Sequence, residues 1–134
     1  MPWSNLRTIE QGLEVVAGAD SAHGGLLLDI WHLGRGGIAF EEISRIPARY
    51  LRHVEIDDAA AEVVGTLLED TLDRRRLCGD GVLGVPAFLR AVQGIGYDGP
   101  FGVEILSTEH RRRTLDDAAR SAFDSALAQF ASQT

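Results

Sequence analysis

Apolar positions along the chain follow two rhythms. Near the start, Leu6, Ile9, Leu13 and Val16 recur at helical spacing, which predicts an amphipathic helix from Asn5 to about Gly18 with Ser4 as its N-cap. Three short apolar runs come later, at 25–30, 50–58 and 101–106, each bounded by glycine or polar residues. Runs of this length predict strands; the first reads as buried on both faces, and the second shows partial alternation with Leu51, Val54 and Ile56 as its apolar members. Helical segments fall between them. Phe40 to Arg45 is a short one that stops near Pro47, and Ala60 to Leu72 forms part of a long connection. Val85 to Gly94 carries Pro86 in its first turn and turns Phe88, Leu89 and Val92 inward. Thr114 caps a last helix to about Ala131, with an apolar stripe of Leu115, Ala119, Phe123, Leu127 and Phe130. The remaining segments, including 32–37 and 107–113, are predicted loops. One helix followed by three strand–loop–helix units implies an α/β fold with parallel strands joined by right-handed crossovers.

Polar groups change this picture at three points. Asp29 ends the first strand run, His53 sits between Arg52 and Val54, and Glu104 sits between Val103 and Ile105. A carboxylate among buried neighbours costs several kcal/mol unless it is paired or bound to a metal. Two carboxylates and an imidazole delivered by successive strands suit a divalent cation such as Mn²⁺, Mg²⁺, Co²⁺ or Zn²⁺. Each residue also has a plainly structural reading, as one half of a salt bridge or hydrogen bond. His32, three residues after Asp29, reads either as a polar group at a strand exit or as an imidazole packed beside Trp31. Trp3 and Tyr97 read as packing residues, and Cys78 as a structural thiol.

Bulk properties remove several classes of function. The 134 residues make one domain with a modest core. A net charge of −7 argues against non-specific nucleic-acid binding. The runs Arg74–Arg76 and Arg111–Arg113 are local exceptions, and the second reads as a solvated loop. The single cysteine fits a reducing compartment, and no signal-like start or membrane-length apolar run is present, so a cytoplasmic location is expected.

The segments LLLDIWHLGRGG, LRHVEIDD and RRRLCGDGVLGVPAFLRAVQGIGYDGPFGVEIL resemble the C-terminal half of the sugar phosphate isomerase/epimerase family, the xylose-isomerase-like (β/α)8 barrels. The most specific parts are Asp29-x-x-His32, the run His53–Asp58, and Gly96-Tyr97-Asp98-Gly99 leading to Glu104. The resemblance implies a single partial TIM barrel of about three strands, preceded by one helix. It implies Asp29, His53 and Glu104 as metal ligands, with Glu104 also moving a proton. It makes His32 a substrate contact, Arg75 the substrate-binding arginine with Arg76 as its near alternative, and Asp58 a partner behind a ligand histidine or a strand-end cap. The implied chemistry is metal-assisted isomerisation, epimerisation or dehydration of a sugar or cyclitol.

A full barrel of this kind needs eight strands and about 250 residues. The family's fourth metal ligand, a glutamate, lies on a strand just before the Pro2-Trp3-Ser4 segment and has no counterpart here. The expectation is therefore a truncated product, or a half-barrel that completes itself as a homo-oligomer or with a separate N-terminal chain. A non-catalytic half-barrel that associates with itself or a partner is the second reading. An abasic-site endonuclease is the third, disfavoured by the acidic charge and by only four histidines.

Overall fold

A computed structural model describes residues 4–131. Pro2 and Trp3 lie outside that range. The chain is an α/β fold whose helices α1 (Ile9–Ala19), α2 (Ile30–Gly36), α3 (Leu67–Asp73), α4 (Val85–Gly94) and α5 (Leu115–Ala131) surround strands β1 (Leu26–Asp29), β2 (Leu51–Ile56) and β3 (Phe101–Val103). The strands pair in parallel in the order β1-β2-β3, and the sheet is not closed.

Strand alternation divides the sheet into two faces. Leu28, Val54 and Phe101 are register neighbours on one face. That face joins a core with Ile30, Leu33, Ile43, Phe88, Leu89 and Val92. The opposite face carries Leu27 and Asp29 from β1, His53 and Glu55 from β2, and Gly102 from β3. Leu27 is 52% exposed there, so this face stays partly open.

Several boundaries differ from those expected, each for a local reason. Thr8, not Ser4, caps α1, with its side chain accepting from the Gln11 N–H. The segment after β1 is a helix, because Asp29 caps it and Gly37 ends it at φ 66°. In the long connection only Leu67–Asp73 is helical, started by a capping box between Thr66 and Glu69. The third strand stops at Val103, so Glu104 lies just past its end. On α5 the predicted stripe largely faces outward, with Leu115 84%, Phe123 64% and Leu127 55% exposed. Ala126 is buried there instead, and Phe130 packs edge-on against Phe101 at 5.2 Å. No helix among the described residues is long and apolar enough to cross a membrane.

Candidate functional site

The site begins with Asp29. Its Oδ1 accepts the backbone N–H of Trp31 at 2.7 Å and of His32 at 3.4 Å, which starts α2 and fixes the carboxylate at the strand's C-terminal end. Its Oδ2 accepts from Arg75 Nη1 at 2.8 Å. Asp29 is the register partner of Glu55 on β2. Glu104 reaches the same spot from the end of β3, where its backbone N–H bonds to the Ile56 carbonyl. One carboxylate oxygen from each of Asp29, Glu55 and Glu104 lies within 4.8 Å of the others.

Arg75 is the cation already in this cluster. The guanidinium is 1% exposed, and Nη1 meets Asp29, Asp57 and, at 2.9 Å, Glu104. Thr71 holds the other side of the group, its Oγ1 accepting from Nη2 at 2.9 Å, and the Trp31 ring lies 5.3 Å away. Burial pulls the Arg75 pKa down, but the Asp57 and Asp29 carboxylates outweigh it and the net movement is upward. Three carboxylates contact the guanidinium and Glu55 lies beside two of them, so the cluster is acidic in surplus when all are ionised. Burial pushes Asp57 up to about 8, and its Oδ1 is buried with no hydrogen-bond partner. Glu55 is also raised, by burial first and then by Glu104 and Asp29.

The other residues singled out from the sequence take distinct places. His53 lies on the same face as Glu55 but one layer back along β2, opposite Leu27, with Nε2 3.8 Å from Glu55 Oε1. Gly102 makes room for it, since a Cβ there would stand 2.8 Å from that nitrogen. His32 stands over the cluster at the exit of β1, its Nε2 3.6 Å from Asp29 Oδ2 and its ring edge-on to Trp31. Partial burial lowers its pKa; the Asp29 carboxylate opposes this, and the Arg75 charge adds to the lowering. Its Nδ1 is buried and has no partner.

Asp58 organises the neighbouring loop and contacts no histidine. Its carboxylate accepts N–H groups from Ala59 and Leu83 at 2.9 Å and from Gly79 at 3.1 Å. Arg76 is exposed and donates to the Asp80 carbonyl. Cys78 is buried, and that burial pushes its thiol up to about 12, an inert environment. Sequence reasoning missed Glu55 and Asp57. The signal available was period-two alternation, which puts 53, 55 and 57 on one face and so offers three candidates where one was chosen.

This arrangement has recognisable relatives. The model of the xylose isomerase-like TIM barrel family matches residues 1–126. The chain is 26% identical over 121 residues to an inosose isomerase of Bacillus subtilis, covering 90% of this chain and 42% of that protein. An inosose isomerase of Bacillus velezensis is 24% identical over the same length. The crystal structure of IOLI protein with a binding zinc atom superposes with a TM-score of 0.87 at 25% identity, covering 99% of this chain and 47% of that one. A xylose isomerase domain protein of Salmonella typhimurium shares the fold, with a TM-score of 0.77 at 20% identity. The chain spans less than half the length of the curated relatives it matches. Over the stretch it does span, it belongs to the xylose isomerase-like TIM barrel family.

Proposed function

We propose that the acidic cluster is a divalent-cation site serving proton transfer beside a carbonyl on a sugar or cyclitol, in a catalytic centre that this chain supplies in part. The observation that carries this reading is the convergence of three carboxylate oxygens from three successive strand ends, with more negative charge than Arg75 neutralises. All-oxygen donors of this kind fit Mg²⁺ or Mn²⁺ well, and Zn²⁺ or Co²⁺ also accept carboxylates. The similarity to inosose isomerases and to the zinc-bound IOLI protein supports this reading.

Asp29, Glu55 and Glu104 would hold the cation, which when bound supplies Lewis acidity to a substrate carbonyl. Glu104 is the most exposed of the three, with its side chain 37% exposed, and is suited to take a proton from the carbon next to that carbonyl. His32 offers an imidazole for hydrogen bonding to a substrate oxygen at the strand exit. Arg75 orients the carboxylates and counters part of their repulsion.

Calorimetric titration with Mn²⁺ or Zn²⁺ tests the site. Asp29→Asn, Glu55→Gln and Glu104→Gln should each weaken binding at least tenfold, while His53→Ala leaves it within about threefold. Absence of binding in the parent chain overturns the reading. Loss of binding in His53→Ala with retention in Glu55→Gln would move the site back to the histidine.

A second reading has its own support. Leu27 on β1 and Leu115, Phe123 and Leu127 on α5 are large apolar side chains left in the open. They favour a half-barrel that associates, with a second copy or with a complementing chain, whether or not it catalyses anything. Light scattering on the purified chain distinguishes a monomer from a larger species.

A further inference from the structure

Behind the acidic cluster runs a buried polar chain that the proposed chemistry does not use. Asp70 on α3 is buried and lies 39 residues from Trp31 in sequence. Its Oδ2 accepts the Trp31 indole N–H at 3.1 Å and the Arg35 Nε–H at 2.9 Å. Trp31 and Arg35 stand four apart on α2, so one face of that helix brings both donors to a single oxygen. Arg35 is held further by the carbonyls of Ala60, at 2.9 Å, and Ala61 in the loop after β2.

The next residue along α3 reaches the cluster. Thr71 accepts from Arg75 twice over, its carbonyl from Nε at 3.2 Å and its Oγ1 from Nη2 at 2.9 Å. That leaves Nη1 for Asp29, Asp57 and Glu104, with the guanidinium 5.3 Å from the Trp31 ring. Consecutive residues of α3 therefore hold the two partners of one stack, Asp70 the indole and Thr71 the guanidinium. Stability alone gives little reason for the Arg35–Asp70 ion pair, because desolvation of buried charges offsets most of their attraction. What the pair does supply is a fixed anchor for the indole.

We propose that Asp70 is a positioning residue of the acidic cluster: through Trp31 it fixes where the Arg75 guanidinium stands, and through Arg75 it sets how much carboxylate charge is left for a cation. Nη1 engages Oδ2 of Asp29 and Oε2 of Glu104, while Oδ1 of Asp29 is already bonded to the start of α2. A cation entering there competes with the guanidinium for the same carboxylates and is repelled by its charge. Freeing the indole loosens one wall around the guanidinium, so Arg75 yields more readily and cation affinity rises. The anchored stack thus keeps the carboxylates neutralised in the absence of a cation and holds the affinity for one down. Only this last step rests on the cation reading of the cluster; the positioning of Arg75 does not.

Two readouts on the whole chain test this. The first needs no cation and follows hydrogen exchange at the arginine Nε–H groups by nitrogen-edited NMR. The Arg75 Nε–H, bonded to Thr71 in a buried place, is expected to exchange slowly. The double variant Arg35→Met/Asp70→Leu replaces the buried ion pair by apolar groups of similar size, an exchange that folds commonly tolerate. In it the Arg75 signal is expected to exchange at least tenfold faster. Asp70→Asn keeps an acceptor for the indole N–H without the charge, should give an intermediate rate, and stands in if the double variant does not fold. The second readout is calorimetric titration with Mn²⁺, with a Kd at least fivefold lower expected in the double variant. In an Arg75→Met background the same two substitutions should change that Kd less than twofold, because the residue they act through is gone. An unchanged Arg75 exchange rate in a folded variant overturns the proposal, as does a Kd change that persists without Arg75. Absence of Mn²⁺ binding in the parent chain removes the cation reading, while the exchange rates still decide the positioning of Arg75.

Discussion

Asp29 and Glu55 face each other across β1 and β2 as parallel register partners, and each sends a carboxylate oxygen toward that of Glu104. Replacing a carboxylate by an imidazole at that position changes hardness more than geometry. Glu55→His should therefore keep a divalent site while shifting preference from Mn²⁺ toward Zn²⁺ by tenfold or more. Competition calorimetry with the two ions measures the ratio. An unchanged ratio would show that Glu55 is not a ligand.

The loop from Cys78 to Leu83 hangs on one carboxylate. Asp58 accepts three backbone N–H groups, and bonds to a charged group contribute about 1.5–3 kcal/mol each, net of the water bonds they replace. Asp58→Ala should cost about 3 kcal/mol in urea unfolding, and Asp58→Asn roughly half of that. Gly81 is part of the same construction, since a Cβ there would stand 2.2 Å from the Ala59 carbonyl oxygen. Gly81→Ala should be comparably destabilising, read from the same unfolding midpoint.

Alkaline pH offers a clean titration, because all thirteen cationic side chains of the Lys and Arg type are arginines and no lysine titrates. Burial raises the Cys78 thiol to about 12 and also raises the Tyr97 phenol. Both groups are acids held protonated by the fold. Their contribution is complete below the ordinary pKa values of about 9 and 10, and is lost as pH rises through the folded values. Thermal melts should therefore fall between pH 9 and 11.5, and Cys78→Ala should flatten that fall. An equally steep decline in Cys78→Ala would assign the loss to other groups.

The uncovered face of α5 predicts association. Phe123→Asp with Leu127→Asp should shift the chain toward a 14.5 kDa monomer in light scattering. Since both side chains are exposed, the melting temperature should move by no more than a few degrees.

What the sequence made legible followed from period and punctuation. The three strands, α4 with Pro86, and the Thr114 cap of α5 were all readable because local spacing and turn chemistry agreed with the final packing. The helix after β1 was not, because Asp29 does two jobs at once, as a cap and as a member of the cluster, and its functional look hid the structural one. The α5 stripe misled because a repeat of four marks a face without saying what covers it. Within the candidate site, Asp29 and Glu104 were legible as charges at strand ends. Glu55 was harder, since β2 carries both His53 and Glu55 on the same face and only pairing with Asp29 decides which one meets the others. The burial of Arg75 among carboxylates depends on a chain reversal after α3 that no short motif announces.

Strand order and chain order coincide in the sheet. Each strand therefore meets its neighbour through a single crossover, and none must wait for a distant segment to arrive. In kinetic terms the β1–β2 and β2–β3 pairings can form one after the other as independent steps, each closing a loop of a few tens of residues at modest entropic cost. Growth at either outer strand would continue in the same sense without rethreading what is already built. A sheet assembled in this way behaves as an arc of a ring, able to lengthen by addition at its margins.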